Sequence, residues 1–263
     1  MKHAAIKLLL LCTILTACSN ATDKQYYTFG DDSPALSIFK QGDLFLSSVL
    51  GTRDLGTNEF SGELDLRLNA PDRLLTPGQT TQRLQLSLLA DADLRTNDLK
   101  DEKWKVEFFQ TETGSVHIFF TTLDDGTSLW LETNGSSSYQ GIPLIPSPLI
   151  EGAILDTSFD IYICETACTL TAQQGQLRVT MHGISKQETD LAFFDAMQAN
   201  FSMTFSYTNT TTGTTRHYSL SGDFWVHPKA GIIKSSFSRT ISSDILERDD
   251  FFTSLARTNI KLP

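Results

Sequence analysis

Two cysteines, Cys164 and Cys168, are separated by three residues within Asp160-Ile-Tyr-Ile-Cys164, Glu165-Thr-Ala167 and Cys168-Thr-Leu-Thr171. The flanks read as two strands joined by a three-residue turn, a register in which the cysteines face each other and Tyr162 lies opposite Leu170. The Cα separation of such a pair suits a disulfide. The sharper alternative is a metal ion held with His182, but the spacing is not that of a zinc knuckle and no second ligand pair stands nearby. His117, His182, His217 and His227 are scattered, and His117 beside Ile118 and Phe119 reads as a sheet residue rather than a base. The chain has no Gly-x-Ser-x-Gly elbow, no His-Glu-x-x-His, no phosphate-cradling glycine loop and no dinucleotide fingerprint. Asp91, Asp93 and Glu102 fall at the first, third and twelfth places of a calcium loop. Arg95 stands where an oxygen ligand belongs and Thr96 where the sharp turn needs glycine, so a solvated loop is expected. Carboxylates are plentiful, yet no spacing marks a glycosidase pair.

A more specific chemical assignment falls on Cys18. Lys2, His3 and Lys7 form a basic region, and Leu8 to Leu15 is an apolar run broken only by Cys12 and Thr13. That run is too short to span ~30 Å of hydrocarbon and has the layout of a cleaved signal peptide over residues 1–17. Leu15-Thr16-Ala17-Cys18 resembles the lipobox of bacterial lipoproteins. The resemblance implies that the Cys18 thiol is diacylated, that the chain is cut before it, and that the new amino group is acylated in turn, palmitate-like chains being the usual donors. Each buried CH₂ contributes ~0.8 kcal/mol, so several chains anchor stably where one holds marginally. Ser19 after the modified cysteine implies the outer membrane, at its periplasmic face. Residues 18–24 then form the lipidated cysteine and a polar tether, at most ~20 Å from Ser19 to Lys24 when extended. Export also bears on the cysteine pair: Cys12 leaves with the signal, Cys18 carries lipid, and in an oxidising compartment a Cys164–Cys168 disulfide is the default. So small a loop gains little from closure entropy, and the bridge would chiefly pin the hairpin register.

Removal of residues 1–17, which hold Lys2 and Lys7 and no acid, moves the formal charge from −10 to −12. Such a balance disfavours nucleic acid and anionic lipid surfaces as partners. The expected partners are the membrane, through the anchor, and an unknown protein or apolar ligand; no cofactor or metal is expected.

Abundant threonine and serine, glycines between short apolar stretches and few 3.6-residue periods predict an all-β fold of antiparallel sheets, a sandwich or a curved half-barrel. Gln25 to Phe29, Leu36 to Lys40 and Asp43 to Leu50 read as short strands. Phe60 to Asn69 alternates most clearly, followed by Thr81 to Leu89, Trp104 to Gln110, Ser115 to Thr122 and Ser128 to Thr133. Phe108-Phe109 and Phe119-Phe120 would put an aromatic ring on both faces of the sheet, to be covered by a second layer or left as a groove for an acyl chain. Pro143, Pro146 and Pro148 suggest that residues 141–157 cross between an N-terminal β-rich half, 25–140, and a C-terminal one, 158–240, before a tail, 241–263, whose start suits either a short helix or a last strand.

Within the C-terminal half, Ala192-Phe-Phe-Asp-Ala196, the strand Phe201 to Tyr207, the turn Thr210-Thr-Thr-Gly213, Phe224-Trp225 and Ala230-Gly-Ile-Ile-Lys234 follow a recognisable order. Residues 192–238 resemble the ending of uncharacterised secreted bacterial β-domains of the TapB-like kind, which implies a fold and no activity. From the residues themselves, His227 to Gly231 is a hairpin loop in which Gly231 takes a left-handed turn. The functional expectation is a lipid-anchored, non-enzymatic binding, carrier or envelope-assembly module, with an apolar or lipid ligand as its bolder form. The alternative is an envelope hydrolase whose site is assembled from distant residues.

Overall fold

The structure is a computed structural model that describes residues 24–30, 34–40, 42–53, 58–69, 84–89, 104–110, 114–124, 127–132, 141–164, 168–209, 212–243 and 246–262. It is all β. In chain order the strands are β1 (Tyr26–Tyr27), β2 (Leu44–Arg53), β3 (Asn58–Asn69), β4 (Leu84–Leu89), β5 (Trp104–Gln110), β6 (Val116–Asp124) and β7 (Thr127–Glu132). They continue with β8 (Ile142–Ile145), β9 (Ile154–Cys164), β10 (Cys168–Glu188), β11 (Phe193–Thr208), β12 (Thr215–His227), β13 (Gly231–Ser242) and β14 (Leu246–Thr258). All belong to one sheet, in which β2 to β7 and β9 to β14 each pair antiparallel with the next strand in the run. β14 pairs with β2 and β11 with β12, so the path of neighbours returns on itself. β7 pairs with β9, and β8 takes up the part of β6 that β7 leaves. No helix among the described residues is long and apolar enough to cross a membrane.

An up-and-down path puts alternate turns at opposite ends. The β10–β11 and β12–β13 turns share one end with the start of β2 and the last residues of β14. The β9–β10, β11–β12 and β13–β14 turns lie at the other. Lys24, the first described residue, also sits at the former end, its ammonium 2.9 Å from Glu188 and 2.8 Å from the Thr189 carbonyl. That end, where a tether from Cys18 is expected to enter, is called the anchor end below.

Where the alternating pattern is sharp, the strands form as expected. The tail becomes a strand, β14, rather than a helix: its residues continue the alternation that seats it between β13 and β2. Leu36 to Lys40 differs. It joins no ladder, because it crosses several strand ends at the anchor end and finds its hydrogen bonds there one at a time. The Ser37 N–H donates to the Pro228 carbonyl (2.8 Å), Leu36 to the Ser147 hydroxyl (3.2 Å) and Phe39 to the Gln110 side chain (2.9 Å). Gln110 is buried and returns two donations, to the Ser37 and Gly114 carbonyls. Gln25 to Phe29 likewise contributes only Tyr26 and Tyr27, parallel to the start of β11. Pro143 enters the ladder opposite His117, at the edge of a register shift.

Two cores follow. The larger gathers Leu129, Leu131, Ile142, Leu149, Phe159, Leu177, Met203, Leu220 and Phe224 with their neighbours. The smaller gathers Phe39, Phe45, Phe194, Ala196, Ile233 and Leu255, with Trp225 packed against it. Phe224 and Trp225 are consecutive on β12, so the cores lie on opposite faces of that strand. The smaller one is closed partly by residues outside strands, Phe39, Ala192 and Ala230.

Candidate functional site

On the face that carries the larger core, directly opposed residues line up in rows across the strands. One row reads Val179, Phe201, Gly222, Phe237, Phe251 and Gly51 on β10, β11, β12, β13, β14 and β2. Phe201, Phe237 and Phe251 are only half-buried, although they share the face of fully buried Val179 and Phe224. Phe237 and Phe251 stack with centroids 4.9 Å apart, and Phe201 lies 6.2 Å from Phe237 and 5.9 Å from Phe224. Glycine in the row is required sterically. A Cβ on Gly222 would stand 2.5 Å from Phe237 Cα and 2.6 Å from its Cβ, so the two backbones could not approach as they do.

A cavity of about 850 Å³ opens at this row. It runs along β11, β12, β13, β14 and β2, at the row residue and the one on either side of it in each strand. The polar groups are held in place by one another. The Asp223 carboxylate accepts from Gln198 (3.0 Å) and Asn200 (3.4 Å). Asp250 accepts from the Ser238 hydroxyl and from Arg248 (3.1 Å). One register step away, the ion pair between Arg239 and Asp249 is buried, at 4% and 3% side-chain exposure. The size and the half-buried rings suit a small apolar molecule, while Asp223, Ser238 and Asp250, one residue from the row, turn their side chains to the other face of the strands.

Among the expected site residues, Cys164 and Cys168 are directly opposed across β9 and β10, and Tyr162 is opposed to Leu170, the register read from the sequence. Cys18 and the loop with Asp91, Asp93, Arg95, Thr96 and Glu102 lie outside the described residues. So do the side chains of Phe108, Phe109, Phe119 and Phe120, whose backbones run in β5 and β6. The histidines are not brought together. His182 is exposed. His217 is exposed beside its partner Ser206, at 2.7 Å, in solvent that blunts any activation of the hydroxyl. His227 is 1% exposed, 3.0 Å from the Thr28 carbonyl through Nε2, while Nδ1 accepts the Lys229 N–H at 3.3 Å. Those partners define a neutral ring with its proton on Nε2. Burial first, and then the nearby Lys229 charge, push its pKa down, against the opposing pull of the Thr28 hydrogen bond and Asp195. Among the described residues no group of three or more His, Cys, Asp or Glu is placed to hold a metal ion.

The row was missed at the level of sequence because it is lateral. Its members come from six strands between residues 51 and 251, and only the pairing register aligns them. Gly222, inside the run Tyr218 to Trp225, carried the available signal, since a glycine within a strand marks a close approach of backbones.

No family model matches the chain, and no curated protein matches it. Two solved structures are similar to it at low identity. One is a provisionally assigned exported protein with a YmcC-like fold from Bacteroides fragilis, 10% identical, at a TM-score of 0.39 over 86% of this chain and 100% of that one. The other is a provisionally assigned lipoprotein from Parabacteroides distasonis, 9% identical, at a TM-score of 0.39 over 87% of this chain and 100% of that one. Likeness at that level carries nothing over about function.

Proposed function

We propose that the protein is a lipid-anchored, non-enzymatic binding or carrier module of the bacterial cell envelope, held at the outer membrane through Cys18, which takes an apolar ligand in the cavity of the aromatic row. The observation that carries the ligand reading is the half-burial of Phe201, Phe237 and Phe251 around Gly222 and Gly51. Three large rings left partly uncovered on a core-bearing face are costly unless something apolar covers them. The carboxylates beside the row are engaged by Gln198, Asn200, Ser238 and Arg248, an arrangement that suits positioning more than proton transfer.

Native mass spectrometry of the domain from Ser19 onward, purified from cells without detergent, tests the ligand. The expected spectrum contains a non-covalent adduct that organic solvent extracts. A spectrum of the bare chain, with an experimental structure showing the row covered by protein, would sink the carrier reading. The intact mass of membrane-extracted protein tests the anchor, as the mature chain from Cys18 plus acyl groups. The same mass under non-reducing conditions reports the Cys164–Cys168 bridge as a loss of two hydrogens.

A further inference from the structure

The anchor end carries an apolar surface beside the point where the chain emerges from its tether. Among the described residues, five of the exposed large hydrophobic side chains lie at this end: Tyr26, Ile38, Ile150, Ile154 and Ile184, each between 45% and 53% exposed. Most of them are close neighbours through the register. The turn holding Ile150 is bonded to β10 through the Gly152 N–H and the Met181 carbonyl (2.9 Å), and Ile154 is directly opposed to Thr180, four residues from Ile184. Farther along the same exposed face of β10, the Lys186 ammonium lies 4.8 Å from the Tyr26 ring and 4.6 Å from the Phe193 ring. Its aliphatic stem covers the rings and its charge remains at their edge. Aliphatic side chains bordered by tyrosine and lysine make the mixture that settles at the level of lipid headgroups.

The charges at this surface lean negative, with Lys24 and Lys186 against Glu188, Asp195 and Glu151. Lys24 pairs with Glu188, the Tyr26 hydroxyl donates to Asp195, and Glu151 stands beside Gly183. With a protein of net negative charge, attraction to anionic lipid is not the driving force. The tether supplies the remaining element. Lys24 follows Cys18 by six residues, at most ~20 Å of chain, so the surface is held within reach of the bilayer and weak apolar contacts suffice.

Resting on the anchor reading of Cys18, we infer that this face, with Tyr26, Phe193, Ile150, Ile154, Ile184 and Lys186, lies on the lipid surface and fixes the orientation of the domain. The occupant is the membrane that holds the acyl chains, and the contact is apolar.

The test uses the full lipidated chain reconstituted in phosphatidylcholine vesicles with brominated acyl chains. Two variants, Ile184→Trp at the anchor end and Leu246→Trp at the opposite end, are each read against the parent fluorescence. Added tryptophan at 184 is expected to be quenched at least about twofold more than at 246, with no loss of quenching in high salt. Adding Ile150→Ser and Ile154→Ser to the Ile184→Trp chain is expected to remove most of that difference. Equal quenching at 184 and 246 in a chain whose mass shows acylated Cys18 would overturn the docked orientation and leave the anchor standing. Quenching at 184 abolished by salt would overturn the apolar contact. A mass showing Cys18 unmodified would remove the anchor and the docking together.

Discussion

Two neighbouring rows on one face of the sheet behave differently. Leu177, Met203, Leu220, Arg239 and Asp249 are directly opposed across β10 to β14, and every one is at least nine-tenths buried, the ion pair included. One step along the strands, Phe201, Gly222, Phe237 and Phe251 are opposed in the same way, and their rings are half-exposed. The open row holds the bulkier apolar residues, so openness does not come from a lack of hydrophobic volume. The difference in backbone is at Gly222, whose lack of a Cβ lets β12 close on Phe237 within the open row. Burial here is decided by what lies across the register, and polarity along the chain is a poor guide to it.

The largest effect expected is on the closed row. Replacing one member of the Arg239–Asp249 pair, as in Asp249→Asn, removes the carboxylate facing a buried cation and should cost ~3–5 kcal/mol, seen as a fall in the denaturant midpoint. The double change Arg239→Met with Asp249→Leu should recover most of that loss. If the single change costs under ~1 kcal/mol, that row is as wet as its neighbour and the contrast fails.

At the border of the open row, Phe224→Ala and Phe237→Ala remove the same ring, one from the buried position two residues beyond Gly222 and one from the row itself. Phe224 is 3% exposed and its removal should cost ~3–5 kcal/mol. Removal of half-buried Phe237 should cost about half as much, and it should also remove the ligand adduct from the native mass spectrum. Equal costs would show that the open row is closed in solution. Gly222→Ala sharpens the point from the other side. Its Cβ must displace the Phe237 backbone, for a loss of ~1–3 kcal/mol, and the shift should disturb the cavity without removing any aromatic ring.

These rows explain how much of the molecule was legible in its sequence. Alternation within a strand is local information, so the antiparallel all-β class, the Cys164–Cys168 register, the strands from Trp104 to Thr122 and the left-handed Gly231, at φ 67°, could all be read directly. What could not be read depends on contacts across the ring of strands. The Phe201–Phe237–Phe251 row needs the register of four strands at once. Leu36 to Lys40 has the composition of a strand, yet its donors go to Gln110, Ser147 and Pro228 because three distant turns meet around it. The sequence around His227 suggested a turn residue. Its burial against Phe194, with ring centroids 5.2 Å apart, appears only once β1 and the segment after it are laid over the β12–β13 turn.

His227 offers the smallest effect, at a third place where burial is imposed from outside the strand. The rings of the open row stay half-buried, whereas the end of β12 is covered by Thr28, whose carbonyl ties the imidazole Nε2 to the segment after β1. Burial lowers the pKa of this histidine below its ordinary 6.5, while the unfolded chain titrates near that value. Between the two pKa values the unfolded state therefore binds the extra proton, and stability falls as the pH drops. The contribution is fully present above pH 6.5 and is lost as the pH passes down through the lowered pKa of the folded state. Thermal midpoints measured from pH 7.5 to about 5 should decline more steeply in the parent than in His227→Gln, which keeps a side-chain donor for Thr28 and does not titrate. Protection of the Ser37 amide from hydrogen exchange, which depends on the adjoining Pro228 carbonyl, should weaken over the same range in the parent alone. Parallel pH curves for the two proteins would mean that the covering segment holds the ring loosely enough for water to solvate its charge, and the distinction between a covered strand end and an open row would lose its energetic basis.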